Sequence, residues 1–338
     1  MRIKIDGEFY NFFSGLNISL KLDSIASTFT FNVRFNPDNP VHRKLFQPLS
    51  YKSVEVFNSD DELVLTGTII GHSFTSNSKP NLLALSGYSK AGVLEDVTVP
   101  VSDYPLESIN RTLKDVAERL LGLFDLEFIV DSSATNQANT IYKKSVASPT
   151  DSIKAYLSKL TSQKNVVLSH NADGAVVVYK PSLVKPVAFF DSSNTIEMKL
   201  AASGQSIHSD ISVVRQPSQD NAGVSTADTV NNPIVGAYRP TTKILSSGED
   251  TDVKNAADNE LAKELKSITL SIALDHVENI LPGSIVEVQN KELFIYEKTK
   301  FMVIESNIKG EVNAERSDFK LVLPETFTSA VPNQIFIV

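Results

Sequence analysis

The sequence predicts a mainly β protein with α+β content, in which two similar β-barrel domains flank a small α+β domain. Three observations predict it. Strand runs of period 2 crowd residues 28–86 and again 267–323. Residues 102–184 switch to the three-and-four spacing of helices. Finally, Val54-Glu55-Val56-Phe57-Asn58 with Glu62-Leu63 returns as Val286-Glu287-Val288-Gln289-Asn290 with Glu292-Leu293, so one unit recurs near both ends. At 338 residues the chain is long enough for two or three cores.

Residues 1–101 form the first predicted barrel. Phe29, Phe31, Val33 and Phe35 alternate with Thr28, Thr30, Asn32 and Arg34, a strand with one aromatic and one polar face. Three prolines within 36–48 predict a loop. Val54 and Val56, then Leu63 and Leu65, lie on either side of Asn58-Ser59-Asp60-Asp61, residues that close tight turns through their own side chains. A second strand pair, 68–74 and 82–86, is divided by the polar segment 75–81. Gly87-Tyr88-Ser89-Lys90 then leads out of the sheet through Leu94-Glu95-Asp96.

In residues 102–184, Pro105 is predicted to open a helix carrying Leu106, Ile109, Leu113, Val116, Ala117, Leu120, Leu121 and Phe124 on one face. A strand at 126–130 and a loose polar stretch at 131–139 follow. Ser148 as cap, Pro149 at the first helical position and Asp151 predict a second helix with Ile153, Tyr156, Leu157 and Leu160 as its stripe. Strands at 166–168 and 175–179 enclose the turn 170–174. The shared pattern Pro-x-acid-Ser-Ile at 105–109 and 149–153 suggests a repeated helix–strand unit.

Residues 185–338 return to β, with strands expected near 187–190, 195–200, 210–214, 267–274 and within 285–323. The Ser-, Asp- and Gly-rich segment 216–230 reads as a mobile loop. A helical insertion near 252–266 has a narrow stripe, Val253, Ala257, Leu261 and Leu265, suited to resting on a surface. The chain ends on an apolar run, Ile335, Phe336, Ile337 and Val338, which either completes its own barrel or docks on a partner.

Composition and motifs narrow the function. A net charge of −8 argues against tight binding to nucleic acid, which draws on Lys and Arg. With no Cys there are neither disulfides nor thiolate metal sites. No apolar signal core opens the chain, and no stretch reaches the ~20 apolar residues of a membrane helix, so no stable membrane association is expected. His42, His72, His170, His208 and His276 have no metal-ligand spacing. Gly71-His72-Ser73-Phe74-Thr75 lacks the closing Gly of a nucleophile elbow. Asp60-Asp61 and Glu95-Asp96 read as turn and surface charges. Catalytic, cofactor and metal residues are therefore expected to be absent.

Several stretches in fixed order resemble one family: VEVFNSDDELVLTGTI, LLALSGYSKAGVLEDVTVP, PLESINRTLKDVAERLL, PTDSIKAYLSKLTSQKNVVLSHNADGAVVVY and PGSIVEVQNKEL with KFMVIESNIKG and LVLPETF. The arrangement is similar to the baseplate hub proteins of Mu-like contractile-tailed phages, the tail protein D-like or late control D-like hubs. Members usually carry Gly-Arg-Ser where this chain has Gly87-Tyr88-Ser89, and often a Trp near the last β-domain, whereas this chain has no Trp. The resemblance implies a homotrimer in which two tube-type barrels per chain make a pseudo-sixfold ring. Such a ring adapts a sixfold tail tube to a threefold central spike. It implies as partners the chain itself, the spike, a tail tube or distal tube protein and other baseplate proteins, with DNA only passing through the channel. An acidic channel wall would repel that DNA. The implied location is the virion tail baseplate, after synthesis in the host cytoplasm. Competing readings are a cell-wall-degrading enzyme, which needs a catalytic cleft, and a carbohydrate-binding protein, which the lack of Trp disfavours.

Overall fold

The computed structural model describes residues 1–76, 82–182, 185–215, 227–245, 253–311 and 314–336. The first unit comprises β1 (Arg2–Ile5), β2 (Glu8–Tyr10), β3 (Phe13–Lys21), β4 (Thr28–Arg34), α1 (Pro40–Leu45), β5 (Ser53–Phe57), β6 (Leu63–Phe74), β7 (Leu82–Ser89) and the short α2 (Val93–Asp96). Its strands are ordered β2-β1-β5-β6-β7-β4-β3, with antiparallel neighbours throughout. The alternation seen in sequence buries Phe29, Phe31 and Val33 while Thr28, Thr30 and Arg34 face out. Phe29 needs room: a Cβ on Gly87 would lie 2.3 Å from its ring and 2.2 Å from the Thr68 carbonyl. Gly87 is therefore a close-approach residue. The segment 36–48 is not simply a loop, because Asn39 caps α1 by accepting from the Val41 N–H at 2.9 Å, and Pro40 starts the helix.

The middle unit holds β8 (Glu107–Thr112), α3 (Leu113–Gly122), β9 (Phe128–Val130), α4 (Thr135–Ala138), β10 (Ile141–Val146), α5 (Ile153–Gln163), β11 (Val167–His170) and β12 (Val176–Tyr179). Two helix starts differ from expectation. Residues 107–112 pair with β10 as a strand, so Leu106 and Ile109 precede the helix. The helix begins after Thr112, whose hydroxyl accepts from the Asp115 N–H while Asp115 accepts from the Thr112 N–H, a reciprocal cap stronger than the Pro105 signal. Likewise Ser152, not Ser148, caps α5. The two Pro-x-acid-Ser-Ile segments thus have unlike structures, one a strand and one a helix start. Nor is 131–139 loose: Asp131 caps a helical turn, and Ala134 and Ala138 are buried under α3 and α5.

The last unit comprises β13 (Ala188–Phe190), β14 (Glu197–Ala202), β15 (Asp210–Arg215), β16 (Ala227–Asn231), β17 (Pro240–Leu245), α6 (Val253–Leu265), β18 (Ile268–Ala273), β19 (Ile285–Asn290), β20 (Ile295–Glu311), β21 (Ala314–Val322) and α7 (Glu325–Thr328). Part of the expected mobile loop, residues 227–230, is β16; residues 216–226 lie outside the described residues. The insertion is larger than one helix. β16, β15 and β17 form a separate sheet, and α6 lies on it. The α6 stripe is broader than sequence spacing suggested, because Ala256 and Ala262 are buried beside Val253, Ala257, Leu261 and Leu265. It seals a core rather than merely touching a surface.

The two β units share one strand order. In the first it is β5-β6-β7-β4-β3; in the last it is β19-β20-β21-β18-β14, with chain order preserved one for one. Val54 pairs with Gly67 and Val56 with Leu65; Val286 pairs with Phe301 and Val288 with Thr299. The correspondence extends to an irregularity. The β6·β7 register shifts between Ile69 and Gly71, and the β20·β21 register between Val303 and Glu305, two residues past the respective partners of Val54 and Val286. A bulge at the same place in two copies is a conserved geometric feature of the unit. The middle unit is threaded between the copies, and the β15–α6 insertion between β14 and β18. In the first copy the counterparts of those two strands, β3 and β4, are joined by a short turn.

The copies are also one sheet. β20 spans 17 residues. Its first half pairs with β19, and residues 305–310 then pair with β3 of the first unit, Ile308 opposite Ile18. Leu22, Val167, Ile285 and Met302 form a small core where all three units meet. The turn that starts each copy makes a test. Asn58 Oδ1 accepts from the N–H groups of Asp60 (2.9 Å) and Glu62 (2.8 Å), whereas Asn290 accepts one bond, from Glu292 (2.9 Å). Asn58→Ala is expected to cost about 2 kcal/mol and Asn290→Ala about 1, read from denaturation midpoints. Equal losses would contradict this account of the turns.

Candidate assembly surfaces

The residues that sequence singled out for chemistry are dispersed. His208 Nδ1 and N–H both contact the Glu264 carboxylate, at 2.8 and 2.9 Å, pinning β15's approach to α6. His170 Nδ1 meets its neighbour's carbonyl at 2.9 Å, His276 meets Asp275, and His42 Nδ1 accepts from the Asn36 N–H at 3.2 Å. Asp61 pairs with Arg2, and Glu95 with Lys154 at 3.1 Å. Among the described residues no three His, Asp or Glu side chains converge as a metal site. Ser73 of the elbow-like segment lies on β6, in a sheet rather than at a strand–helix turn.

Gly87-Tyr88-Ser89 has a structural part to play. Gly87 admits the Phe29 ring, and the buried Ser89 hydroxyl donates to the Ile25 carbonyl. Burial, and then the adjacent Asp96 carboxylate, pushes the Tyr88 phenol up to about 12. These contacts fix the exit from β7 into α2.

The C-terminal run is seated on the chain itself as far as it is described. Ile335 and Phe336 pack partly buried against the second barrel's core. Gln334 holds them in place, donating to the Pro233 and Ile234 carbonyls at 3.2 and 3.3 Å and accepting from the Phe336 N–H at 3.0 Å. Ile337 and Val338 lie outside the described residues.

Several edges of the sheet are open among the described residues. β14 and β2 end the strand path, β13 pairs only with β19, and β6 pairs with β5 only as far as Thr68, leaving one edge of residues 70–74 without a strand partner. Phe74 there is 44% exposed. The polar face of the last unit's sheet carries Glu197, Lys199, Glu305, Asp318 and Lys320, so it mixes signs rather than being acidic. Sequence periodicity marks β6 as a strand but not that residues 70–74 are paired on one edge only; pairing is a tertiary property.

Against known proteins, no family model matches the chain and no curated protein matches it by sequence. Solved structures do match in fold. The 43 kDa tail protein of prophage MuSo2 from Shewanella oneidensis superposes with a TM-score of 0.79 at 17% identity, over 96% of this chain and 98% of that one. A tail protein from Neisseria meningitidis MC58 gives 0.77 at 20% identity, over 98% of both chains. An Escherichia coli type VI secretion component, described as structurally similar to the T4 bacteriophage tail proteins gp27 and gp5, gives 0.62 at 11% identity over 99% of this chain and 80% of that one. The chain has the fold of these proteins along nearly its whole length.

The open edge also has a pH signature. His72 Nε2 is buried with no hydrogen-bond partner among the described residues, and desolvation lowers the imidazole below its usual value. The neutral form is thus favoured in the folded state. Stability from this site is present above the ordinary histidine pKa and falls as pH drops through the lower folded value. His72→Gln is expected to flatten stability between about pH 7 and 5 relative to wild type, in denaturation at stepped pH. An unchanged slope would contradict the assignment.

Proposed function

We propose that this chain is a structural hub of a contractile tail or a related injection device. Three copies close a ring of six quasi-equivalent barrels that adapts a sixfold tube to a threefold spike. The observation that carries the proposal is the duplicated strand unit, shared down to its bulge. Three chains with two like barrels each supply the six similar positions that a sixfold partner meets, while the chain's own symmetry remains threefold. Full-length fold likeness to prophage tail proteins and to a type VI secretion component supports the same reading.

In this ring the duplicated unit is the wall, and residues 102–184 lie at its periphery. The other partners proposed are the spike, a tube or distal tube protein and further baseplate proteins. DNA passes through the channel without lasting contact. The polar sheet face is the one suited to a water-filled channel, since the opposite face is committed to the cores. Mixed charge at Glu197, Lys199, Asp318 and Lys320 would give passing phosphates neither strong attraction nor a uniform barrier. The role is mechanical and uses no catalytic residue. The C-terminal run Ile335, Phe336, Ile337 and Val338 is proposed to dock a partner, anchored at its start by Gln334.

Sedimentation tests the ring: a trimer is expected, burying at least roughly 1,000 Å² per specific interface. A chain that remains monomeric at high concentration and in the assembled particle would overturn it. Deleting residues 332–338 is expected to leave a folded protein that no longer joins spike to tube. Joining by the truncated protein would remove the docking role, and unfolding would assign the run to the barrel core alone.

A further inference from the structure

We propose that the open edge of β6, residues 70–74, pairs antiparallel with the open edge of β14 in a second copy of this chain, with Phe74 opposite Leu200 and Ser73 opposite Ala201. The inference rests on the trimeric ring proposed above and specifies the contact that closes it.

The template is the junction inside the chain. Where the first barrel meets the second, the last half of β20 pairs with β3: Ser306 opposite Leu20, Asn307 opposite Ser19, Ile308 opposite Ile18. In the duplicated order β20 corresponds to β6 and β3 to β14. The registers carry the correspondence residue by residue. Ile308 lies opposite Ser317 and Ser306 opposite Phe319, as Phe74 lies opposite Leu83 and His72 opposite Leu85. Phe319 faces Ile272 as Leu85 faces Phe31. Leu270 then faces Leu200 as Phe29 faces Ile18. So Ile308 maps on Phe74, Ile18 on Leu200, Asn307 on Ser73 and Ser19 on Ala201.

Two independent hydrogen bonds agree with this register. Thr75 N–H donates inward to Leu82, so in β6 the odd-numbered peptides face β7 and those of His72 and Phe74 face the open edge. Ser203 N–H donates inward to Ser267, so in β14 the odd-numbered peptides face β18 and those of Leu200 and Ala202 face out. The transferred register brings these outward groups together, His72 with Ala202 and Phe74 with Leu200. A slip by one residue would oppose them to peptides already bonded elsewhere. In the template, the Leu22 N–H donates to the Ile304 carbonyl, which makes Ser19 and Asn307 a non-hydrogen-bonded pair with close side chains. Ser73 and Ala201 inherit that geometry.

The side chains fit as well. Ile18 and Ile308 are buried at the internal junction, whereas their counterparts Leu200 and Phe74 are half-covered and 44% exposed, as expected for the same contact without its partner. At the internal junction Ser19 donates to Glu305 at 2.9 Å across the strands. The counterparts are Ala201 and Gly71, so the second junction exchanges that polar bond for two small side chains. An exposed apolar edge is a hazard unless it is covered, and a closed ring covers it three times.

The chain has no Cys, so cross-linking is clean. Ser73→Cys with Ala201→Cys, oxidised and run without reductant, is expected to give linked dimers and trimers; Thr75→Cys with Lys199→Cys, two residues along the same face, is expected to do likewise. Ser73→Cys with Glu197→Cys, four residues out of register and on the order of 13 Å away, is expected to stay unlinked. Phe74→Asp is expected to keep the monomer's circular dichroism and weaken association at least tenfold in sedimentation. Trimers that form without cross-links at either in-register pair, or that link equally out of register, would overturn this pairing and leave the ring standing. A chain that stays monomeric and unlinked both at high concentration and in the assembled particle would overturn both.

Discussion

Backbone pairing along β20 is the constraint on which the rest depends. One strand of 17 residues gives its first half to β19 and its second to β3, with β21 running along its other edge. Residues 305–310 pair in unbroken register with residues 16–21, so the two barrels cannot rotate independently without breaking that ladder. Ile18 and Ile308 add apolar burial at that seam, worth on the order of 1.5–3 kcal/mol for each side chain. In the proposed ring, such a seam would fix the angle between the two barrels of one chain where a flexible linker would leave it free.

The middle unit packs against both β units near this seam. The Thr66 N–H of β6 donates to the Ala172 carbonyl at 2.8 Å, and Val167 joins Leu22, Ile285 and Met302 in the small shared core. Lys266 reaches Asp23 at 2.9 Å and Asn279 reaches Glu62 at 3.0 Å, each bridging first and last units. An exposed ion pair and an exposed hydrogen bond of this kind contribute little singly; their value is positional, because each ties the first unit to the last.

Much of this was legible in sequence. Alternation at 28–35 named the buried ring face of β4, and the Val-Glu-Val…Asn repeat located the equivalent hairpins, because side-chain period and Asn turns are local properties. Legibility failed where a stronger local cap lay downstream, as at Thr112 and Ser152, which outcompeted prolines at 105 and 149. It failed again where burial was made by alanines, as at Ala256 and Ala262 on α6, whose small side chains carry little periodic signal. The open edges of β6 and β14 could not be read at all. Whether a strand has a neighbour depends on segments more than a hundred residues distant.

The duplicated unit converts a threefold assembly into an approximately sixfold one only if both copies occupy like positions in the wall. A cryo-electron microscopy reconstruction of the assembled ring, refined with threefold symmetry alone, measures this directly. The account predicts six barrel densities at one radius, related by rotations near 60°, with β5–β7 and β19–β21 superposing after rotation. Three barrels in the wall and three displaced to another radius would contradict it.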